Sequence, residues 1–111
     1  MFNPHIEGVN WIETDSKDNA LATATHNGET GKTHFIKKVI ASFTTAPSAP
    51  KLVQVKKGTS VLCEMYISGV TQEWDLEGIP GNAGGAVSVE LAAHGGGSGN
   101  YGKLILIGKT F

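Results

Sequence analysis

The strongest constraint on this chain is a period of two. Val61, Cys63, Met65 and Ile67 alternate with Leu62, Glu64, Tyr66 and Ser68. An extended backbone therefore sends a continuously apolar row to one side and a mixed row to the other. Around it, the run from Thr33 to Trp74 reads as four strands in succession. Leu52 to Val55 is a short apolar run, Lys56-Lys57-Gly58-Thr59 is a hairpin turn, and Ser68-Gly69 breaks the strand before another begins at Thr71. Such a series cannot bury its apolar face alone and requires a second sheet.

The remaining segments supply that sheet. Ala20 to Thr25 is a thin strand of small and polar residues, and Asn27-Gly28 is a turn dipeptide. His34 to Phe43 reads as a long strand in which Phe35, Val39, Ala41 and Phe43 share one parity, while Ile36 and Ile40 take the other. Lys37-Lys38 interrupts both rows and predicts a bulge or an edge position. Two prolines make Ala46 to Pro50 an extended loop. Glu77 to Gly85 reads as a long loop, Ala86 to Ala92 as a clean alternating strand and His94 to Asn100 as a glycine-rich turn. The last strand, Lys103 to Phe111, is apolar on both faces between Leu104 and Ile107, so it is buried on both sides or covered by a partner. The spacing in Met1 to Asn19 fits neither period. Residues 1–19 are expected to form an N-terminal arm that contacts a neighbour or supplies a first strand, and residues 20–111 a sandwich domain. The predicted fold is all-β: an antiparallel two-sheet sandwich, an eight-stranded jelly roll ahead of an immunoglobulin-like arrangement, whose Cys–Trp–Cys hallmark is missing.

At 111 residues the chain makes one domain, which buries about two-thirds of the surface its unfolded form exposes. The formal net charge of −1 gives no reason to expect nucleic acid or a membrane surface as partner. Cys63 is the sole cysteine, so no internal disulfide forms, and its place in the alternating strand makes it a small core residue. Met1-Phe2-Asn3-Pro4 lacks a basic start and an apolar run, and no stretch reaches membrane-spanning length. The expected location is the cytosol of synthesis and, after assembly, a particle.

Motifs for chemistry are few. His26 to Thr33 ends in Gly-Lys-Thr like a phosphate-binding loop, but His26 stands where the first glycine belongs, and a strand rather than a helix follows. A hairpin turn is the better reading. His5, His26, His34 and His94 show no metal-ligand spacing, so neither metal nor cofactor is expected. Asp15 to Asn19 lacks the acidic alternation of a calcium loop, and Gly97-Ser98-Gly99 lacks the strand and helix of a nucleophile elbow. Glu64, Glu73, Asp75 and Glu77 read as the wet face of a sheet rather than a sugar-cleaving pair. No enzyme is expected. Tyr66, Trp74 and Tyr101 are candidates for a glycan-stacking platform, against a core or interface role for Trp74.

The order of segments carries a resemblance. It runs His34-Phe35-Ile36, Ala41-Ser42-Phe43, an alanine/proline loop, Leu52-Val53, the Lys57-Gly58 turn, Ile67-Ser68-Gly69, a Trp74-bearing strand, Ala86 to Leu91, and a glycine-rich turn before the last strand. This pattern resembles the small β-sandwich structural proteins of tailed bacteriophages, among them head decoration (cement) proteins. It spans about 32–111, and Lys37-Lys38 departs from it. The resemblance implies a non-enzymatic virion protein, trimeric by preference, on the outer capsid surface, clamping neighbouring major capsid subunits after assembly in the host cytoplasm. Under it, the expected capsid contacts are Ile6, Val9, Trp11, Ile12 and Phe111, and Ile107 with Trp74 is the expected oligomer interface. The alternative is a lectin-like sandwich used in host attachment.

Overall fold

A computed structural model describes residues 8–111. It contains eight strands: β1 (Val9–Asp18), β2 (Ala22–His26), β3 (His34–Phe43), β4 (Lys51–Lys57), β5 (Ser60–Ile67), β6 (Thr71–Pro80), β7 (Val87–Leu91) and β8 (Tyr101–Thr110). They form two four-stranded sheets, ordered β1-β8-β3-β6 and β2-β7-β4-β5. Every pairing is antiparallel. The pairs β1·β8, β2·β7, β3·β6 and β4·β5 nest inside one another like the two arms of one long hairpin. Rolling that hairpin adds β3·β8 and β4·β7 and yields the jelly roll expected from the alternation.

The core lies between the sheets. Ile36, Val39, Ala41, Phe43, Leu104, Leu106 and Trp11 from the first sheet meet Ala22, Ala24, Val53, Val55, Ile67, Val87, Val89 and Leu91 from the second. Each large aliphatic side chain buried there contributes about 1.5–3 kcal/mol relative to exposure. One flank is thinner. Each of β5 and β6 is bonded to a strand on one side only, and Leu62, Cys63, Met65, Trp74 and Leu76 are half-buried against the core. Burial pushes the Cys63 thiol above its ordinary range, which keeps it protonated and unreactive at neutral pH.

Three details differ from what the sequence predicts. Pairing on β3 skips between Ile36 and Lys38. This bulge at Lys37 reverses the parity, so Ile36 joins Val39, Ala41 and Phe43 inside and Phe35 turns outward. β3 is central, so the bulge is realised and the edge position is not. β6 continues to Pro80, because Glu77 at φ 56° and Gly78 at φ 86° absorb a kink inside the strand; the expected loop begins later. The turn after His26 is not a hairpin, since β2 and β3 lie in different sheets. Residues 9–18 pair with β8 along their whole length, so of the two expectations for this segment the described residues form the first strand, at the edge of the sandwich. Ile6 and His5 fall outside the described residues. The Lys56–Thr59 hairpin stands as expected, with Gly58 at φ 57°.

Candidate functional site

The polar side chains converge at the end of the sandwich where β2 finishes and β3 begins. Trp11 is carried inward by β1 and crosses β8 at Gly108, its register partner. A Cβ at that glycine would lie 2.2 Å from the Trp11 ring, so only glycine leaves the indole room. The Trp11 Nε1–H donates to Thr110 Oγ1 at 2.9 Å. Thr110 Oγ1 lies 2.5 Å from His34 Nδ1, and His34 Nε2 lies 2.7 Å from the Asn27 carbonyl oxygen. That carbonyl only accepts, so Nε2 carries the proton, and the Thr110 hydroxyl donates to Nδ1. Every polar atom of this buried chain is thereby paired, as burial demands.

His26 sits beside it at the last position of β2. Its ring stacks on Trp11 with centroids 4.0 Å apart and an interplanar angle of 3°, and it meets His34 edge-on at 4.4 Å. Its Nδ1 donates to Glu13 Oε2 at 2.8 Å, while Nε2 points to Glu29 Oε1 at 3.8 Å. Glu29 opens a tight turn in which Lys32 N–H donates to its carbonyl at 3.0 Å and Gly31 takes φ 77°. The Gly-Lys-Thr run is thus a turn that delivers Glu29 to the histidines, and strand β3 follows it. Gly28 is wedged against the Gly84 carbonyl, 2.2 Å from where a Cβ would stand, which fixes the turn onto the β6–β7 loop. Val9, Trp11, His26, Glu29, Lys32 and Thr110 line the small cleft at this end. Among the described residues, His26, Glu29 and His34 form a group whose ligating atoms all lie within 4.8 Å of one another. Sequence spacing does not reveal it, because strand pairing, not a local motif, assembles it.

His94 is at the opposite end and is structural. Its Nε2–H donates to the Thr45 carbonyl at 3.0 Å and its Nδ1 accepts from Gly96 N–H at 3.0 Å.

The second feature is the outer face of the first sheet. Register places Ile12 beside Ile107, and Ile105 between Thr14 and Ile40, all on the side away from the core. Phe35 and Phe111 pack edge-on at 5.5 Å at one end of this row, with Lys109 Nζ 5.6 Å from the Phe111 ring centre. Lys38, Lys103 and Lys109 share the face, with Glu73 and Asp75 along its β6 rim. Of the expected contact residues, Val9, Ile12 and Phe111 are exposed, Ile12 at 64%, and Ile107 lies on this face. Trp11 is buried in the core and is unavailable to a partner. Trp74 pairs with Val39 and points inward at the thin flank, away from Ile107. Tyr66 faces outward from the second sheet and Tyr101 from the end of the first, so the three aromatics do not form one platform.

No protein-family model and no curated protein matches this sequence. Among solved structures, the chain is similar to the CBM36-1 domain of a multidomain xylanase from the hindgut metagenome of Trinervitermes trinervoides. The two share 11% identity over 90% of this chain and 95% of that one, with a TM-score of 0.50. FlhE is matched at 11% identity and a TM-score of 0.41, over 90% and 96% of the two chains. Likeness at the level of the xylanase domain speaks to the fold alone, and defines the chain as an all-β sandwich.

Proposed function

We propose that this protein is a non-enzymatic attachment module that decorates and stabilises a bacteriophage head, binding major capsid subunits through the outer face of its first sheet. The observation that carries this reading is the row of Ile12, Ile40, Ile105 and Ile107 on a face that the chain's own second sheet does not cover. A sandwich sheet without a partner on its outside is normally polar there. The strands of this sheet are ten residues long, and a four-stranded face of that length projects roughly 600 Å² at the usual strand spacing. A standard stable interface takes about 800 Å² from each partner. The whole face, with its rim, is therefore on the scale of one specific contact, and a homotrimer would multiply it. Binding only to the assembled shell stabilises that shell by mass action.

The test mixes purified protein with undecorated phage shells. Saturable binding and a raised shell melting temperature are expected, with both lost in Ile12→Glu and Ile107→Glu. Absence of binding to shells by the unaltered protein overturns the reading.

A carbohydrate-binding role is the second reading. It is favoured by the sandwich shared with a xylanase's carbohydrate-binding domain and by Tyr66, 62% exposed on the opposite sheet beside Leu52 and near the Gln54–Glu64 hydrogen bond. A glycan array gives a signal lost in Tyr66→Ala if this is right, and a blank array if it is not.

A further inference from the structure

We infer that His26, His34 and Glu29 form a binding site for a divalent transition-metal ion of the zinc type, clasping the two sheets together at this end of the sandwich. The site is separate from the attachment face, and its chemistry starts with where the hydrogens lie. Glu13 accepts from His26 Nδ1 at 2.8 Å, so the neutral ring keeps its lone pair on Nε2. That lone pair faces a carboxylate oxygen of Glu29 at 3.8 Å. Two electron-pair donors facing each other are reconciled by whatever stands between them, a proton, a bridging water or a metal ion, and a metal ion is the one that would also draw in His34.

The distances suit the metal. The three ligating groups converge within 4.8 Å, and a tetrahedral zinc ion with bonds of about 2.0–2.2 Å needs its donors roughly 3.3–3.6 Å apart. Glu29 belongs to an exposed turn and closes that gap by side-chain rotation. His34 becomes a ligand by a change of tautomer. With its proton on Nδ1 it donates to Thr110 Oγ1, and Nε2, released from the Asn27 carbonyl, turns to the ion.

The outer shell is already built. Glu13 holds the rear nitrogen of His26 and Thr110 that of His34, as oxygen acceptors do behind metal-bound imidazoles. Trp11 locks both rings by stacking on one and meeting the other edge-on at 5.9 Å. Two imidazoles and one carboxylate select zinc, cobalt, nickel or copper over calcium or magnesium. The fourth position opens to the cleft that Lys32 also lines, where water or a small anion completes the shell. Because β2 and β3 belong to different sheets, the ion joins both layers.

The experiment titrates the metal-stripped full chain with Zn²⁺, and separately with Co²⁺. One equivalent of zinc is expected to bind and to raise the melting temperature as free zinc increases, and cobalt should give the visible bands of a tetrahedral site. Glu29→Gln, which alters an exposed side chain, should fold normally and bind at least tenfold more weakly, as should His26→Gln. Failure of the unaltered chain to bind zinc overturns the proposal. So does wild-type affinity in Glu29→Gln, which would place the ion on other histidines.

Discussion

Thr110 is the residue on which the end of the sandwich turns, since one hydroxyl serves both Trp11 and His34. Thr110→Val keeps the shape and removes both bonds, leaving a buried indole N–H without an acceptor. Such an orphan costs about 1–3 kcal/mol, and the urea midpoint should fall accordingly with little change in slope. Gly108→Ala should cost as much or more, because the added methyl drives into the Trp11 ring and the packed core resists the shift. Asp15 gives a prediction in pH. The Lys17 ammonium first, and the Thr23 backbone N–H second, hold its carboxyl below the usual carboxylate range. A carboxyl lowered on folding adds stability above its unfolded pKa, and that stability is lost as pH falls through the folded value. Asp15→Asn should therefore be less stable than the parent at pH 7, with the gap closing below about pH 4; paired denaturation curves at both pH values check it. None of these roles was legible in the sequence. Trp11 meets Thr110 across 99 residues and His34 meets it across 76, and only strand pairing creates such neighbours.

At the scale of elements, alternation does most of the work, and its interruptions are the informative places. The row in β7 could be read directly because nothing shifts its parity, and that in β5 from Cys63 onward, since its one bulge, at Leu62, turns Val61 out to 46% exposure and brings Leu62 against the core. β3 could not, because Lys37 adds one residue and exchanges the roles of Phe35 and Ile36. Deleting Lys37 should turn His34 and Ile36 outward and Phe35 inward. Losing the burial of side chains of this size costs about 1.5–3 kcal/mol each, so the thermal transition should drop sharply or vanish. The sequence predicts a shorter β6 because Gly78, Pro80 and Gly81 look like loop residues, while the kink at Glu77 and Gly78 lets the strand resume. Which sheet each strand joins was illegible for a plainer reason: a turn dipeptide looks the same whether the chain doubles back in one layer or crosses to the other.

For the whole molecule, β1 decides what can be removed. It caps β8 along ten register pairs and contributes Trp11 to the core. Truncation through Asp18 should therefore unfold the domain, visible as loss of the β-sheet circular-dichroism signal. Ile12→Glu on the outer face should leave the melting point nearly unchanged, since surface changes away from special contacts stay within about 0.5 kcal/mol, while removing attachment. The flank where β5 and β6 each have a single neighbour has a dynamic consequence. With half-covered side chains beneath it, that side is where the wall opens first. Deuterium should enter the amides of these outermost strands well before it reaches β8 or β7, and a thiol-specific label should reach Cys63 through such local openings without the rest of the roll coming apart.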